Sequence, residues 1–564
     1  MSGDIARLAA EYWDFRARTG PTWAHLIGDY RYAATVEDVS RTAEDEQVAA
    51  AREFERRALA VDPSALGVQD RITRDLLAFD AGANADLAET RLAEIAVDPI
   101  GGPQASLPVT LSRLTMPDES VAEAMLAKLE GIGRLLADLA DRHREGAARG
   151  WTPPRFAVEG AVRQIDAWLA QPPERDPILA GLRPPAVDGT AQQAWLERAR
   201  AAVEDHVRPG LATYRRVLAD EIAPLARPDE RAGLAWLEGG DGAYARAIRL
   251  FTTREASAEE IHRVGLEQVE RLADEYRELG PEVLGTGDLE TILERLRSDP
   301  SLHYATGAEI MVTARAALAR AEQAMARWFG TVPAATCAVE ETAHGAQGFY
   351  FPPAQDGSRD GVFFINTSDP SVWGRFEMES TAFHEGIPGH HLQGTISSEL
   401  RGLPDFRRHA WVTAYGEGWG LYAERLADEM GLYGTALDRI GMLSNDSLRA
   451  CRLVVDTGLH AMGWSRAQAI EYMVRNSPMR EAHVRAEVDR YICSPGQALA
   501  YMLGRLEIQR IRARAEQRLG DAFDIRAFHD VVLTSGSMLL DTLAALVDDW
   551  AAAGGPRREG RATA

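Results

Sequence analysis

His384, Glu385, His390 and His391 form the densest group of chemistry-bearing side chains in this 564-residue chain. Imidazole is the usual nitrogen ligand of zinc, and a carboxylate beside such a ligand can take a proton from an activated water. In the familiar His-Glu-x-x-His arrangement the two histidines lie four apart and share a helix face. Here position 388 is Pro, so the second histidine must come later. Pro388 cannot donate to the carbonyl of His384, and its ring would clash there in a straight helix. With Gly389 beside it, the sequence predicts a bulged or broken turn. On an ideal helix His391 would lie about 20° from His384 and His390 about 120° away. A break cancels that preference, so spacing leaves both histidines open as the second ligand.

An acidic third ligand is expected downstream, where the helix-like stretch Tyr415 to Glu424 offers Glu417 and Glu424. Seven apart, these two can share a face. Glu417-Gly418-Trp419 resembles the Asn-Glu-Gly-Phe segment that supplies the third zinc ligand in thermolysin-related aminopeptidases, which puts Glu417 first. Glu424 then reads as a partner that holds a ligating histidine by its other ring nitrogen. Further along, Arg452, Asp456 and His460 are spaced by four, which suits an Asp-oriented histidine beside an arginine on one helix face. Arg490 and Arg505 are candidates to hold a substrate carboxylate through bidentate contacts, and Arg452 joins them as a substrate-binding candidate.

The elements that must carry these groups are mostly helices. From Ile5 to about Phe251 apolar residues recur three and four apart, as in Val121 to Arg149 and Ala191 to Ile222. Pro and Gly mark the breaks, and the Pro-rich run from Gln171 to Val187 is the best candidate for a long loop or a joint between lobes. More helices follow from Ser257 to Phe329. Between Thr331 and Asp369 the texture turns to Thr, Val, Phe, Tyr, Gly and Pro, and Gly361 to Asn366 is the clearest strand. That strand is a candidate edge for pairing with an extended peptide. Helical pattern resumes from Arg375 through Leu546, and the tail from Ala551 is expected to fray. The chain is too long for one ordinary compact core. The expected organisation is a helical region over 1–250, continuous with a catalytic region over 251–550, and a flexible tail over 551–564.

Composition narrows the partners. A formal charge of -23 argues against nucleic acid and anionic membrane, which both need a cationic footprint. Three well-separated cysteines, Cys337, Cys451 and Cys493, signal neither a disulfide framework nor a thiolate metal site. The N-terminus lacks an apolar h-region and no run of about 18 apolar residues occurs, so a cytoplasmic location is expected.

The chain resembles domain-of-unknown-function family 885 (DUF885), whose hallmarks are His-Glu-x-x-Pro-Gly-His, Glu-Gly-Trp-x-x-Tyr-x-Glu and Pro-Gly-Gln-Ala-x-x-Tyr-x-x-Gly. All three stand here, at His384 to His390, Glu417 to Glu424 and Pro495 to Gly504. The likeness extends to Asp356-Gly357-Ser358-Arg359, to Arg452 through His460, and to Leu26-Ile27-Gly28-Asp29. It implies a predominantly α, two-lobed metallopeptidase-like body, akin to angiotensin-converting enzyme, with a central channel and a small β segment beside the site. It also favours His390 over His391, because the pattern ends on the histidine after Pro-Gly. The expected cofactor is one zinc ion per chain, held by His384, His390 and Glu417, with Glu385 as general base. Tyr491, Tyr501 and His460 are oxyanion-donor candidates, because each lies in or beside a matching segment. The activity expected is hydrolysis of peptide bonds in short peptides, of oligopeptidase or carboxypeptidase type. The alternatives are a metal-dependent amidohydrolase acting on a non-peptide amide, and a catalytically silent metal-binding helical protein.

Overall fold

The computed structural model describes residues 3–185, 189–343, 346–353 and 360–556. The fold is predominantly α-helical with one three-stranded sheet. Eight helices bear on the site: α1 (Gly240–Thr252), α2 (Ala258–Leu284), α3 (Met378–Glu385), α4 (His390–Glu399), α5 (Thr413–Glu429), α6 (Ala436–His460), α7 (Glu481–Cys493) and α8 (Ala500–Leu519). Local chemistry sets their ends. At the start of α2 the Ser257 hydroxyl accepts from the Glu260 N–H while the Glu260 carboxylate accepts from the Ser257 N–H, which satisfies two donors the helix would otherwise leave free. Gly285 stops the same helix in the left-handed region at φ 70°. Thr435 caps α6, which is buried at every position from Ile440 to His460 except Arg449.

Three main cores form. One joins the first helices, Ile5 to Ala85, to α5, α8 and the C-terminal helices as far as Ala551. A second lies wholly between Ala33 and Ala226. The third unites Trp151 with α1, α2, α6 and the start of α8. The cores therefore do not part at residue 250, because the N-terminal helices return to the C-terminal ones. The last helix, Leu540–Ala552, keeps Ala551 buried, so fraying does not begin there. Residues 557–564 and the motif stretch Asp356 to Arg359 lie outside the described residues. Among the described residues no helix is long and apolar enough to cross a membrane.

The sheet has the order β1 (Cys337–Thr342), β3 (Gly361–Asn366), β2 (Gly348–Phe351). β3 pairs parallel with β1 and antiparallel with β2. It is therefore the central strand, and the expectation that Val362 to Ile365 offers a free edge is corrected: both of its edges are used. The apolar run Val362-Phe363-Phe364-Ile365 suits burial on both faces and could not by itself reveal the two flanking strands.

α5 and α8 cross at van der Waals contact through two glycines. A Cβ on Gly418 would lie 2.5 Å from the Gly504 carbonyl carbon, and one on Gly504 would lie 2.0 Å from the Ala414 oxygen. Glycine inside a helix costs about 1 kcal/mol against alanine, and here the close crossing requires it. α6 is tied to its neighbours by buried carboxylates. Asp446 receives Nη1 of Arg505 at 2.7 Å and Nε of Arg425 at 2.5 Å. Asp456 receives the Tyr244 hydroxyl of α1 at 2.5 Å and the Gly496 N–H at 3.1 Å.

Two outcomes follow. Gly418→Ala should lose roughly 1–3 kcal/mol of stability through overpacking, read from the urea midpoint, and an unchanged midpoint would contradict the close crossing. Burial pushes the Asp456 carboxyl up to about 7, against the hydrogen bonds from Tyr244 and Gly496. The folded chain thus keeps a proton that the unfolded chain releases near pH ~3.9, so this group's effect on stability worsens as pH rises and levels off above about 7. Between pH 5 and 8 wild type should lose roughly 2–3 kcal/mol relative to Asp456→Asn. Parallel stability curves for the two proteins would contradict that assignment.

Candidate metal centre and cleft

α3 ends at Glu385 and α4 begins at His390, with Gly386, the cis Ile387-Pro388 peptide and Gly389 between them. The chain breaks at Pro388, as its missing N–H requires. The turn is closed tightly: a Cβ on Gly389 would lie 1.9 Å from the His384 carbonyl oxygen. It is also pinned from α5, where Trp419 Nε1–H donates to the Pro388 carbonyl at 2.9 Å.

The break turns His390 onto His384, with ring centroids 4.7 Å apart and nearly perpendicular planes. Glu417 reaches both from α5, its Oε2 lying 3.5 Å from His384 Nε2 and 3.3 Å from His390 Nε2. One donor atom from each of the three lies within 4.8 Å of the others. Bonds of 2.0–2.1 Å to one tetrahedral ion would place donors about 3.3 Å apart, so this donor set fits zinc. A Cβ on Gly420 would lie 2.8 Å from His384 Nε2 and 3.0 Å from His390 Cε1, which is why α5 carries glycine there.

Glu424, two turns after Glu417 on α5, is fully buried. Its Oε1 meets His384 Nδ1 at 2.7 Å and its Oε2 accepts from the Ser380 hydroxyl at 2.5 Å. It therefore fixes the ring and leaves Nε2 facing Glu417. Burial alone would lower the His384 pKa; hydrogen bonds that its ring donates to Glu417 and Glu424, with the charge of Glu385, instead hold it up to about 9. Burial works upward on Glu417, but the two imidazoles drive it well below the usual carboxylate range. Charges of opposite sign are thus paired at one buried point, with the Glu417 carboxylate held in its ionised form. His390 Nδ1 has no hydrogen-bond partner among the described residues.

His391, which ideal helix geometry favoured, is not in the cluster. Its Nδ1 faces the Tyr350 hydroxyl and its Nε2 the Ala335 carbonyl, each at 3.1 Å, so it ties α4 to the β segment. The break resets the helical phase that the ideal geometry assumed.

The cluster opens into a cleft of about 2150 Å³. Helical segments around Ile100 to Arg113 and Pro177 to Gly181 line one part of it, β2 and the helices α3 to α8 the rest. Glu385, His384, His390, Glu417, Tyr501, Arg452 and Arg490 all line it. The Tyr501 ring stacks 6.4 Å from the His384 ring, and burial raises its phenol pKa, so the hydroxyl keeps its proton at neutral pH.

Three other expectations are corrected. Tyr491 is fully buried, and its hydroxyl donates to Glu487 and accepts from Arg452 Nε. His460 is also fully buried: Nδ1 accepts from the Leu234 N–H at 3.2 Å and Nε2 donates to the Tyr491 carbonyl at 3.0 Å. Burial pushes its pKa down to about 3, and Asp456 does not orient it, since that carboxyl holds Tyr244 and Gly496. Arg505 is fully buried against Asp446 and does not line the cleft. Neither Tyr491 nor His460 lines the cleft either.

Ser380, Gly420, Asn445 and Arg449 were not singled out from the sequence, and Trp419 was read only as part of the Glu-Gly-Trp segment. Ser380 sits one turn before His384, and Asn445, Arg449 and Arg452 follow at helical spacing, so periodicity carried a signal for both groups.

Residues 21–547 match the family described as Bacterial protein of unknown function (DUF885). A Colwellia psychrerythraea protein, whose crystal structure is described as that of a "putative lipoprotein", superposes with a TM-score of 0.91 at 26% identity, over 97% of this chain and 99% of that one. A Shewanella oneidensis protein, described in the same words and as of unknown function, superposes with a TM-score of 0.70 at 17% identity, over 97% of this chain and 100% of that one, a likeness of fold alone. No curated protein matches the chain. With nearly its whole length matched, the chain belongs to the DUF885 family.

Proposed function

We propose that this protein is a metal-dependent peptidase that hydrolyses short peptides, with zinc as the ion held by His384, His390 and Glu417. The observation that carries this reading is the convergence of two imidazoles and a carboxylate on one point, beside Glu385 and at the wall of a large cleft. The chemistry such an ion supplies is Lewis acidity at a carbonyl and a more acidic water.

The protein's own groups supply the rest. Glu385 follows His384 directly and faces the cleft, so it is the base that takes a proton from the attacking water and passes it to the leaving amine. Tyr501, neutral and stacked beside His384, is the donor to the oxyanion that develops at the scissile carbonyl. Glu424 and Ser380 hold the His384 ring in place. Tyr491 and His460 have no part in this scheme, because their polar atoms are already paired inside the fold.

Cleft size supports the peptide reading over the small-amide one. Sites for small molecules are typically about 300–1,000 Å³, and this cleft of about 2150 Å³ suits an extended peptide.

Glu385→Gln should keep about one zinc per chain and lose roughly 10²–10⁴-fold in hydrolysis of a short peptide. Full activity in that variant would refute the mechanism. Glu424→Gln should weaken zinc binding about 10–100-fold, read by competition with a chromogenic chelator. An unchanged affinity would remove Glu424 from its role as the group that orients His384.

A further inference from the structure

Beyond Tyr501 the cleft meets α6 and α7 at a group of cations with too few anions. Arg449, Arg452 and Arg490 line this end. Glu487 answers two of them, accepting from Arg452 Nη2 at 2.8 Å and Arg490 Nη2 at 3.0 Å. The other carboxyl lining this end, Glu377, is turned to the Gly374 N–H and the Ser444 hydroxyl, each at 3.1 Å, and burial pushes it toward its neutral form. Burial also lowers the pKa of His483, which leaves that ring uncharged at neutral pH. A surplus of positive charge therefore sits inside a chain whose formal charge is -23.

Three donors in this group are buried and have no hydrogen-bond partner among the described residues: Nδ2 of Asn445, Nε of Arg449 and Nη1 of Arg452. Asn445 and Arg452 are each only 5% exposed. Spaced by four and three on α6, the three side chains share one helix face, and all of them line the cleft. A buried donor left unmade costs on the order of 1–3 kcal/mol, and more when it is charged. What would satisfy all three is one anionic acceptor with at least two oxygens, which a carboxylate provides.

Position supplies the rest of the argument. The Arg452 guanidinium lies 4.5 Å from the Tyr501 ring centroid, and that ring lies 6.4 Å from His384. The guanidinium and the imidazole therefore stand within about 11 Å of each other, which an extended chain covers in about three residues.

We propose that Asn445, Arg449 and Arg452 bind the terminal carboxylate of a peptide, so that the protein removes one or two residues from a free C-terminus. This rests on the peptidase reading above. In the step itself the C–N bond breaks, the water's hydroxyl goes to the carbonyl carbon and its proton to the amine of the released piece. That piece is the one the arginines hold. Glu487 acts as a positioning residue, holding the Arg452 guanidinium at the wall of the cleft.

The test pairs an N-acylated tripeptide acid with its C-terminal amide on the zinc-loaded protein. The expected result is a kcat/KM on the order of 100-fold higher for the acid, falling to near equality in Arg449→Ala and in Asn445→Ala. Among the described residues the one side-chain hydrogen bond Arg449 shows is to the Asn445 carbonyl of its own helix, so its loss should leave the fold intact. Equal rates for acid and amide in wild type would overturn the proposal. Calorimetry with an N-acetylated dipeptide acid and its amide supplies a second readout. If neither tripeptide is hydrolysed but the acid alone binds, and Arg449→Ala abolishes that binding, the carboxylate site stands and the peptidase reading falls. Equal binding of acid and amide, or none of either, would overturn the carboxylate site.

Discussion

The carboxylate of Glu417, wedged between two imidazoles in the protein interior, is the interaction on which the arrangement depends. A buried carboxylate is costly unless it meets positive charge or strong donors. Here it meets His384 and His390 at 3.5 and 3.3 Å. That contact is possible only because three segments approach more closely than side chains normally allow. α5 presents Gly420 to the two rings, Gly389 lets the turn after α3 close on the His384 carbonyl, and Trp419 ties that turn to α5. The glycines lower the intrinsic stability of α5 and are tolerated because the helix is clamped against α8 at Gly418 and Gly504.

Charge is distributed unevenly in a way that matches this plan. The chain as a whole has a formal charge of -23, yet the α6–α7 end of the cleft gathers Arg449, Arg452 and Arg490. Under the proposed peptidase function, an entering peptide would meet the cluster of His384, His390 and Glu417 at one point and these arginines about three residues away. Both are held by helices with buried supports, which fix side-chain geometry more tightly than loops can. Tyr501 touches both groups and links them.

Much of this was legible in the sequence, for identifiable reasons. His384, Glu385 and Glu417 stand out by residue type and local spacing, and Pro388 announces the broken turn because proline lacks an N–H. The choice of His390 over His391 was not readable from geometry, since a break erases helical phase; the family pattern carried it. Tyr491, His460 and Arg505 misled because residue type does not reveal which partner a buried polar group has already found: the Leu234 N–H and Asp446 are distant in sequence, and only Glu487, four residues before Tyr491 on α7, lies at a helical spacing. The same limit hid the central position of β3, which depends on strands at 337–342 and 348–351. Asn445 and Arg449 were readable as a helix face with Arg452, but their unpaired donors emerge only from packing.

Anomalous diffraction at the zinc edge from crystals grown with one equivalent of zinc tests the central claim most directly. The account predicts a single strong peak about 2.0–2.2 Å from His384 Nε2, His390 Nε2 and a Glu417 oxygen, with His391 still bonded to Tyr350 and Ala335. No peak at that position, or a peak coordinated through His391 or Glu424, would contradict it.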